Sequence, residues 1–200
     1  MMQRYIVTGA PGAGKTSVLR ELSTRGFAVV AEAATDVIAR EQQRGVAEPW
    51  RDASFLTLIT QLQLERRTAD SMLAAGNGTD SRPVRAECPA AAPAAQLHDR
   101  SVLCTLALAR FLGFPVPAAL AAETARVLRE HVFEPVVFLL RPLGFIEATA
   151  ARRISYADSL VFEKVHEAVY AEHGFELTGI PAAPVAERAA AIAGHIAARR

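Results

Sequence analysis

Gly9-Ala10-Pro11-Gly12-Ala13-Gly14-Lys15-Thr16 decides the fold of this 200-residue chain. The stretch has the form G-x-x-x-x-G-K-[ST], a loop whose backbone N–H groups can wrap a polyphosphate. Such wrapping demands close approach of the main chain, and Gly9, Gly12 and Gly14 supply it without obstructing side chains. Lys15 brings a point charge that reaches β- and γ-phosphates. Thr16 offers a hydroxyl to Mg²⁺, which keeps several waters and needs few protein ligands. A helix opening at Ser17 would aim its free N–H groups at the same anion. The expected binding set is therefore Gly9, Ala10, Pro11, Gly12, Ala13, Gly14, Lys15, Thr16 and Ser17.

The flanks give the motif its required context. Tyr5-Ile6-Val7-Thr8 is a short, β-rich apolar run suited to a buried strand. Val18, Leu19 and Leu22 share one face of the helix that follows, and Gly26 closes it. A strand, a glycine-rich turn and a helix in succession are what phosphate binding needs.

Composition narrows the class. Hydrophobic residues make up 51% of the chain, so it is long and apolar enough for a substantial core in one domain, residues 1–200. A net charge of +1 leaves no electrostatic footprint for nucleic acid. No apolar run approaches the ~20 residues of a membrane span, and no signal peptide precedes the first strand. Cys88 and Cys104 form neither a metal-ligand spacing nor a disulfide framework, so a reducing cytoplasm is expected.

Beyond the loop, the segment Phe27-Ala28-Val29-Val30-Ala31 is a second strand ending at Glu32. Ligands of open α/β sheets bind outside the carboxyl ends of strands. Glu32 there can take a proton from an attacking hydroxyl or hold Mg²⁺ through water. It can equally be an acidic residue in the first turn of the next helix. A helix spans 33–44, and another runs from Ser54 to about Ala75 on a Phe55, Leu58, Ile59, Leu62 stripe. Trp50, the sole tryptophan, suits either a pocket wall or core packing.

Residues 76–96 lose all periodicity and read as a mobile surface insertion. Leu97-His98-Asp99 is then a short strand. If it lies beside the phosphate loop, Asp99 occupies the position that holds the Mg²⁺ shell; otherwise it caps the next helix. Arg100 can contact phosphate or pair with Glu32, and His98 is read as structural. After an Ala-rich helix over 118–130, Val136-Val137-Phe138-Leu139-Leu140 is the clearest strand of the second half. Residues 141–158 are irregular and carry Arg152 and Arg153, either solvated arginines or a lid whose guanidinium groups neutralise a transferring phosphoryl. A helix with Val161, Val165, Ala168 and Val169 inward follows. A last strand over 175–178 and a closing helix over 187–198 complete the chain.

With these residues assembled, the chain resembles the small P-loop kinase-like NTPases of an AAA-type domain family. That group includes the nicotinamide riboside kinase domain of bifunctional NAD-biosynthesis proteins and some GTP-binding trafficking proteins. The resemblance rests on residues 9–16, Glu32 in Ala31-Glu32-Ala33-Ala34, His98-Asp99-Arg100-Ser101, Arg152-Arg153-Ile154-Ser155 and the stretch 175–181. The layout is also similar to deoxynucleoside and nucleoside-monophosphate kinases. It implies Glu32 as the base, Asp99 and Arg100 as the acidic–arginine pair, and Arg152 and Arg153 as the lid.

The expectation is an α/β P-loop NTPase with about five mainly parallel strands flanked by helices. Its expected activity is ATP-binding, Mg²⁺-dependent phosphoryl transfer to a small hydroxylated, nucleoside-like acceptor. Lys15, Glu32, Asp99, Arg100, Arg152 and Arg153 are the catalytic set, and Thr16 and Asp99 the metal set. Absence of an N-K-x-D motif favours ATP, with GTP still compatible. The alternative is a nucleotide-dependent switch that hydrolyses slowly and presents a loop to a protein partner.

Overall fold

The computed structural model describes residues 2–75, 95–145 and 154–199, the side chains of 68–75 excepted. Most of the expected insertion (76–94) and both lid arginines, Arg152 and Arg153, lie outside the described residues, as does Cys88.

A parallel sheet of five strands carries the architecture, in the order β2-β3-β1-β4-β5. The strands are β1 (Arg4–Thr8), β2 (Ala28–Val30), β3 (Gln96–Asp99), β4 (Val136–Leu140) and β5 (Glu176–Ile180). The helices are α1 (Lys15–Thr24), α2 (Ala33–Gln43), α3 (Ser54–Ala75), α4 (Val102–Leu112), α5 (Ala118–Arg129), α6 (Tyr156–Glu172) and α7 (Val185–Ala197).

Strand alternation sorts the core into two layers. Tyr5, Val7, Phe138 and Leu140 face α1 and α7, where Val18, Leu19, Leu22, Ile192 and Ile196 are buried. Ile6 and Val137 face the opposite side and pack with Leu103 and Ala107 of α4, Leu120 of α5, and Phe162 and Tyr170 of α6. Complete burial of such a side chain contributes ~1.5–3 kcal/mol, so each layer holds its helices firmly. A third cluster, Val37, Ile38, Phe55, Ile59 and Leu62, joins α2 to α3 beside Trp50.

Central β1 pairs with β3 on one side and β4 on the other. The chain leaves β1 toward one half of the sheet and later returns to build the other. The crevice opens where those two halves diverge, at the carboxyl end of β1. Register places Val7 opposite both Asp99 and Phe138, so Asp99 stands beside the entrance to the phosphate loop.

Several boundaries differ from expectation. Gln96 belongs to β3, paired with Arg4, rather than to the insertion. β5 continues through Gly179 and Ile180 because both stay in register with β4. α6 begins at Tyr156, where Ser155 caps it by accepting from the Asp158 N–H, so residues 156–158 are helical. Val161 is exposed, and the buried face of α6 runs through Phe162, His166, Val169 and Tyr170. A stripe read one residue out of phase rotates by 100° on a helix, and valine spacing alone does not fix the phase.

Candidate functional site

The phosphate loop hangs between β1 and α1 on backbone that only glycine adopts easily. Gly9 has φ +139°, and a Cβ built there would lie 2.4 Å from the Leu140 carbonyl oxygen. The loop therefore presses directly on the end of β4. Gly14, with φ +80°, is the N-cap of α1 and donates no side chain to it, leaving the first N–H groups of the helix for a ligand.

Lys15 is buried, and its Nζ donates to the carbonyl oxygens of Gly9 and Ala10, each at 3.0 Å. Burial, with the nearby Arg100 charge, pulls its pKa down to about 8. The ammonium is thus held over its own loop without full compensation, and incoming phosphates would restore the missing negative charge.

Glu32 is the N-cap residue of α2 but makes no capping hydrogen bond with its side chain. Its carboxylate turns instead to Arg100, with Oε1 2.6 Å from Nε, while Oε2 accepts from the Thr35 hydroxyl at 2.9 Å. Burial works against its ionised form, but Arg100 and Lys15 outweigh burial and hold the pKa below its ordinary value. Of the two arrangements open for Arg100, pairing with Glu32 is present in this structure.

Arg100 follows β3 in the left-handed region, φ 71°, with its N–H bonded to the Val7 carbonyl. Its Nη2 donates to the Gly9 carbonyl at 3.2 Å, and its Nη1 lies 3.0 Å from His166 Nε2. Burial disfavours this charge, yet Glu32 and its neighbours raise the pKa above its already high value. One guanidinium thereby ties the ends of β1 and β3 to α2 and α6.

Asp99 is buried, and its Oδ1 has no hydrogen-bond partner among the described residues. The helix-capping alternative does not apply, because Ser101 is the N-cap of α4 and accepts from the Leu103 N–H. Burial raises the Asp99 pKa to about 6, opposed chiefly by the Lys15 charge. A buried carboxylate oxygen with no partner among the described residues, on the strand next to β1, has the chemistry to join the water shell of a cation. Thr16, on the cavity wall, fits direct ligation. Among the described residues no cluster of three or more His, Cys, Asp or Glu could hold a metal. A Mg²⁺ carried on phosphate oxygens and water requires none.

A cavity of about 730 Å³ is lined by Lys15, Thr16, Glu32 and Arg100 together. Gly12, Gly14, Lys15, Thr16 and Ser17 of the phosphate loop line it. Trp50, Phe55, Ile59, Leu108, Phe111 and Phe162 give it apolar lining, and Gln63 and Thr105 also border it, the Thr105 hydroxyl donating to Gln63 Oε1 at 3.2 Å. Asp99 borders a second, smaller cavity of about 90 Å³, and Arg100 lines both.

His98 packs edge-on against Phe133 and contacts Gln96, with its pKa brought down to about 4 mainly by burial. Its contacts are those of a packed side chain, and it borders the smaller cavity with Asp99. Two groups escaped the sequence reading: His166 on α6 and Arg188 on α7, each a polar side chain on a buried helix face. A polar residue interrupting an apolar stripe was the available signal.

Fold and loop together define a P-loop NTPase of kinase-like architecture. A family model described as an AAA domain matches residues 4–188, and the chain belongs to that family. A search of curated proteins found no match. Among solved structures, the chain is similar to deoxyadenosine kinase from M. mycoides with bound dCTP. That pair shares 15% identity over 98% of this chain and 100% of the other, with a TM-score of 0.55. The same enzyme with products dCMP and a flexible dCDP gives 15% identity, 99% and 100% coverage, and a TM-score of 0.52. At such identity the likeness is one of fold. No described helix is long and apolar enough to cross a membrane.

Proposed function

We propose that the protein is an ATP-binding, Mg²⁺-dependent phosphotransferase whose acceptor is a small hydroxylated, nucleoside-like molecule. The observation that carries this reading is the mixed lining of the large cavity. A triphosphate tail needs only the loop, whereas the same cavity is also lined by Trp50, Phe55, Phe111 and Phe162, with the charged Glu32 and Arg100 among its walls. Flat apolar walls with a few polar atoms suit a ring-bearing acceptor. The deoxyadenosine kinases of similar fold, with their bound deoxynucleotides, support the same class of acceptor.

In this scheme residues 9–17 wrap the β- and γ-phosphates and Lys15 neutralises them. Glu32, ionised at neutral pH, accepts a hydrogen bond from the acceptor hydroxyl and so orients its oxygen toward the γ-phosphorus. The acceptor O–P bond forms as the bond to the β–γ bridging oxygen breaks. ADP leaves with the bond electrons, and the hydroxyl proton passes to Glu32 and then to water. Thr16 and Asp99 would hold Mg²⁺, which supplies charge neutralisation between the phosphates. Arg100 keeps Glu32 in place, and Arg152 and Arg153 are proposed to cover the transferring group. ATP is the proposed donor, and GTP is the comparison.

The test is ADP or GDP formation measured against a panel of nucleosides, with Trp50 fluorescence reporting occupancy of the cavity it lines. Stimulation by one acceptor, lost in Lys15→Met and reduced in Glu32→Gln, is the expected result. Tight nucleotide binding with slow hydrolysis that no acceptor stimulates would replace this reading with the switch.

A further inference from the structure

Directly behind the phosphate loop lies a buried guanidinium without an acidic partner. Arg188, in the first turns of α7, is only 2% exposed. Its Nη1 donates to the Ala13 carbonyl at 2.6 Å and its Nη2 to the Arg141 carbonyl at 3.0 Å. Its Nε has no hydrogen-bond partner among the described residues, and no described carboxylate pairs with it. Arg100, also largely buried, differs in having Glu32 at 2.6 Å. Two carbonyl dipoles leave most of a buried unit charge uncompensated.

The partner atoms say what that charge does. A trans peptide unit points its C=O and N–H in opposite directions. With the Ala13 oxygen drawn back onto Arg188, the Gly14 N–H of the same unit is turned to the other side, and Gly14 lines the large cavity. Contact here is tight: a Cβ on Gly14 would stand 3.3 Å from Arg188 Nη1. The second carbonyl belongs to the residue just after β4, so the same side chain also fixes the loop against that strand end.

We propose that Arg188 is a positioning residue of the phosphate site. It holds the Ala13–Gly14 peptide so that its N–H faces a bound polyphosphate, and that polyphosphate supplies the counter-charge the free protein lacks. The inference rests on reading residues 9–17 as a nucleotide site. It goes beyond that reading because it assigns part of the affinity to a side chain that does not border the cavity.

The experiment is calorimetric titration of the wild type, Arg188→Lys and Arg188→Met with MgADP and with magnesium tripolyphosphate. Each is run below the melting temperature found for that variant by circular dichroism. Arg188→Met is expected to bind both ligands about tenfold more weakly or worse, equivalent to about 1.4 kcal/mol. Arg188→Lys keeps the charge but cannot span both carbonyls as a planar fork, and falls between the two. A purely structural arginine gives the opposite pattern, a lowered melting temperature with wild-type affinity in the folded variant, and that result overturns the proposal. Should Arg188→Met not fold, Arg188→Lys decides: about threefold weaker binding supports the proposal and unchanged binding overturns it. Failure of the wild type to bind either ligand overturns the nucleotide reading and this inference together. Binding that is equal in wild type and variants overturns this inference alone.

Discussion

His166 presents a lone pair, not a proton, to Arg100. Its Nδ1 lies 2.9 Å from the Phe162 carbonyl, which can only accept, so the ring proton is on Nδ1. Nε2 therefore accepts from Arg100 Nη1 at 3.0 Å. The residue is fully buried, and burial together with the Arg100 charge brings its pKa down to about 3. It is neutral throughout the working range and takes no part in proton transfer. Replacing it by Leu strips a charged donor of its acceptor, a loss of ~1.5–3 kcal/mol. Under the proposed scheme, His166→Leu lowers kcat about tenfold or more and changes the nucleotide KM much less, because His166 itself bonds only Arg100 and the Phe162 carbonyl and the Lys15 contacts stay in place. His166→Gln, whose side-chain oxygen can accept, recovers most of the rate. No limb of the pH–rate profile should move in either variant; a shifted limb would show that this imidazole titrates after all.

Lys15 and Asp99 carry opposite proton signatures, and ligand binding should expose both. The Lys15 pKa of about 8 lies below the ordinary value of 10.5, so the free protein holds this group partly deprotonated near pH 8. A bound polyphosphate favours the ammonium and draws a proton in. The Asp99 pKa of about 6 lies above the ordinary 3.8, so near pH 6 the carboxyl is partly protonated. A cation favours the carboxylate and drives the proton out. Calorimetry of MgADP binding in buffers of different ionisation enthalpy should therefore show proton uptake at pH 8 to 8.5. Release attributable to the protein appears near pH 6, after subtraction of the nucleotide's own ionisation. Lys15→Met removes the first and Asp99→Asn the second. The same sign at both pH values in the wild type would contradict these assignments.

Asp99 also sets a stability difference that depends on pH. A folded-state pKa raised by burial means the folded protein holds more protons than the unfolded chain between pH 3.8 and about 6. Stability from this group is accordingly greatest below pH 3.8 and is lost as pH rises through 6. Raising the carboxyl from 3.8 to about 6 costs the folded protein at most ~3 kcal/mol at high pH. Asp99→Asn mimics the protonated carboxyl at every pH. The unliganded variant should exceed wild type in melting temperature at pH 8 and match it near pH 4. Equal melting temperatures at pH 8 would mean the carboxylate is compensated in the free protein.

Legibility followed periodicity and local motif. The phosphate loop, β1, α1 and β4 could be read because glycine spacing, an apolar run and a helical face are local signals. Glu32 and Asp99 were placed by strand ends, which motif order indicates. The burial of Asp99 and the ion pair of Glu32 with Arg100 arise from neighbours far along the chain. The extra residues of β5 were hidden because Gly179 has low strand propensity and is kept in the ladder by its pairing with Leu139. His166 and Arg188 had no local motif at all. Each acts on a backbone or side-chain atom that only the tertiary fold brings near, so the sequence showed no more than a polar residue in a buried stripe.

Gly9 allows a test against a second positive-φ glycine whose surroundings are open. Gly9 and Gly26 both have positive φ, +139° and +89°. An alanine at Gly26, the residue after the last turn of α1, would find nothing within 4 Å of its Cβ. Its cost is backbone strain alone, ~1–2 kcal/mol. An alanine at Gly9 would place its Cβ 2.4 Å from the Leu140 carbonyl oxygen, a backbone atom that cannot step aside without displacing β4. Strand β4 is buried along its whole length, and its end connects through Arg141 to Arg188. Gly9→Ala should thus lose ~3 kcal/mol or more in urea denaturation, against the smaller loss in Gly26→Ala. It should also lose nucleotide-dependent stabilisation, whereas Gly26→Ala keeps it. If the two variants unfold at the same urea concentration, the loop does not press on β4. The close approach that fixes the first turn of the phosphate site would then have to yield as easily as a free helix end.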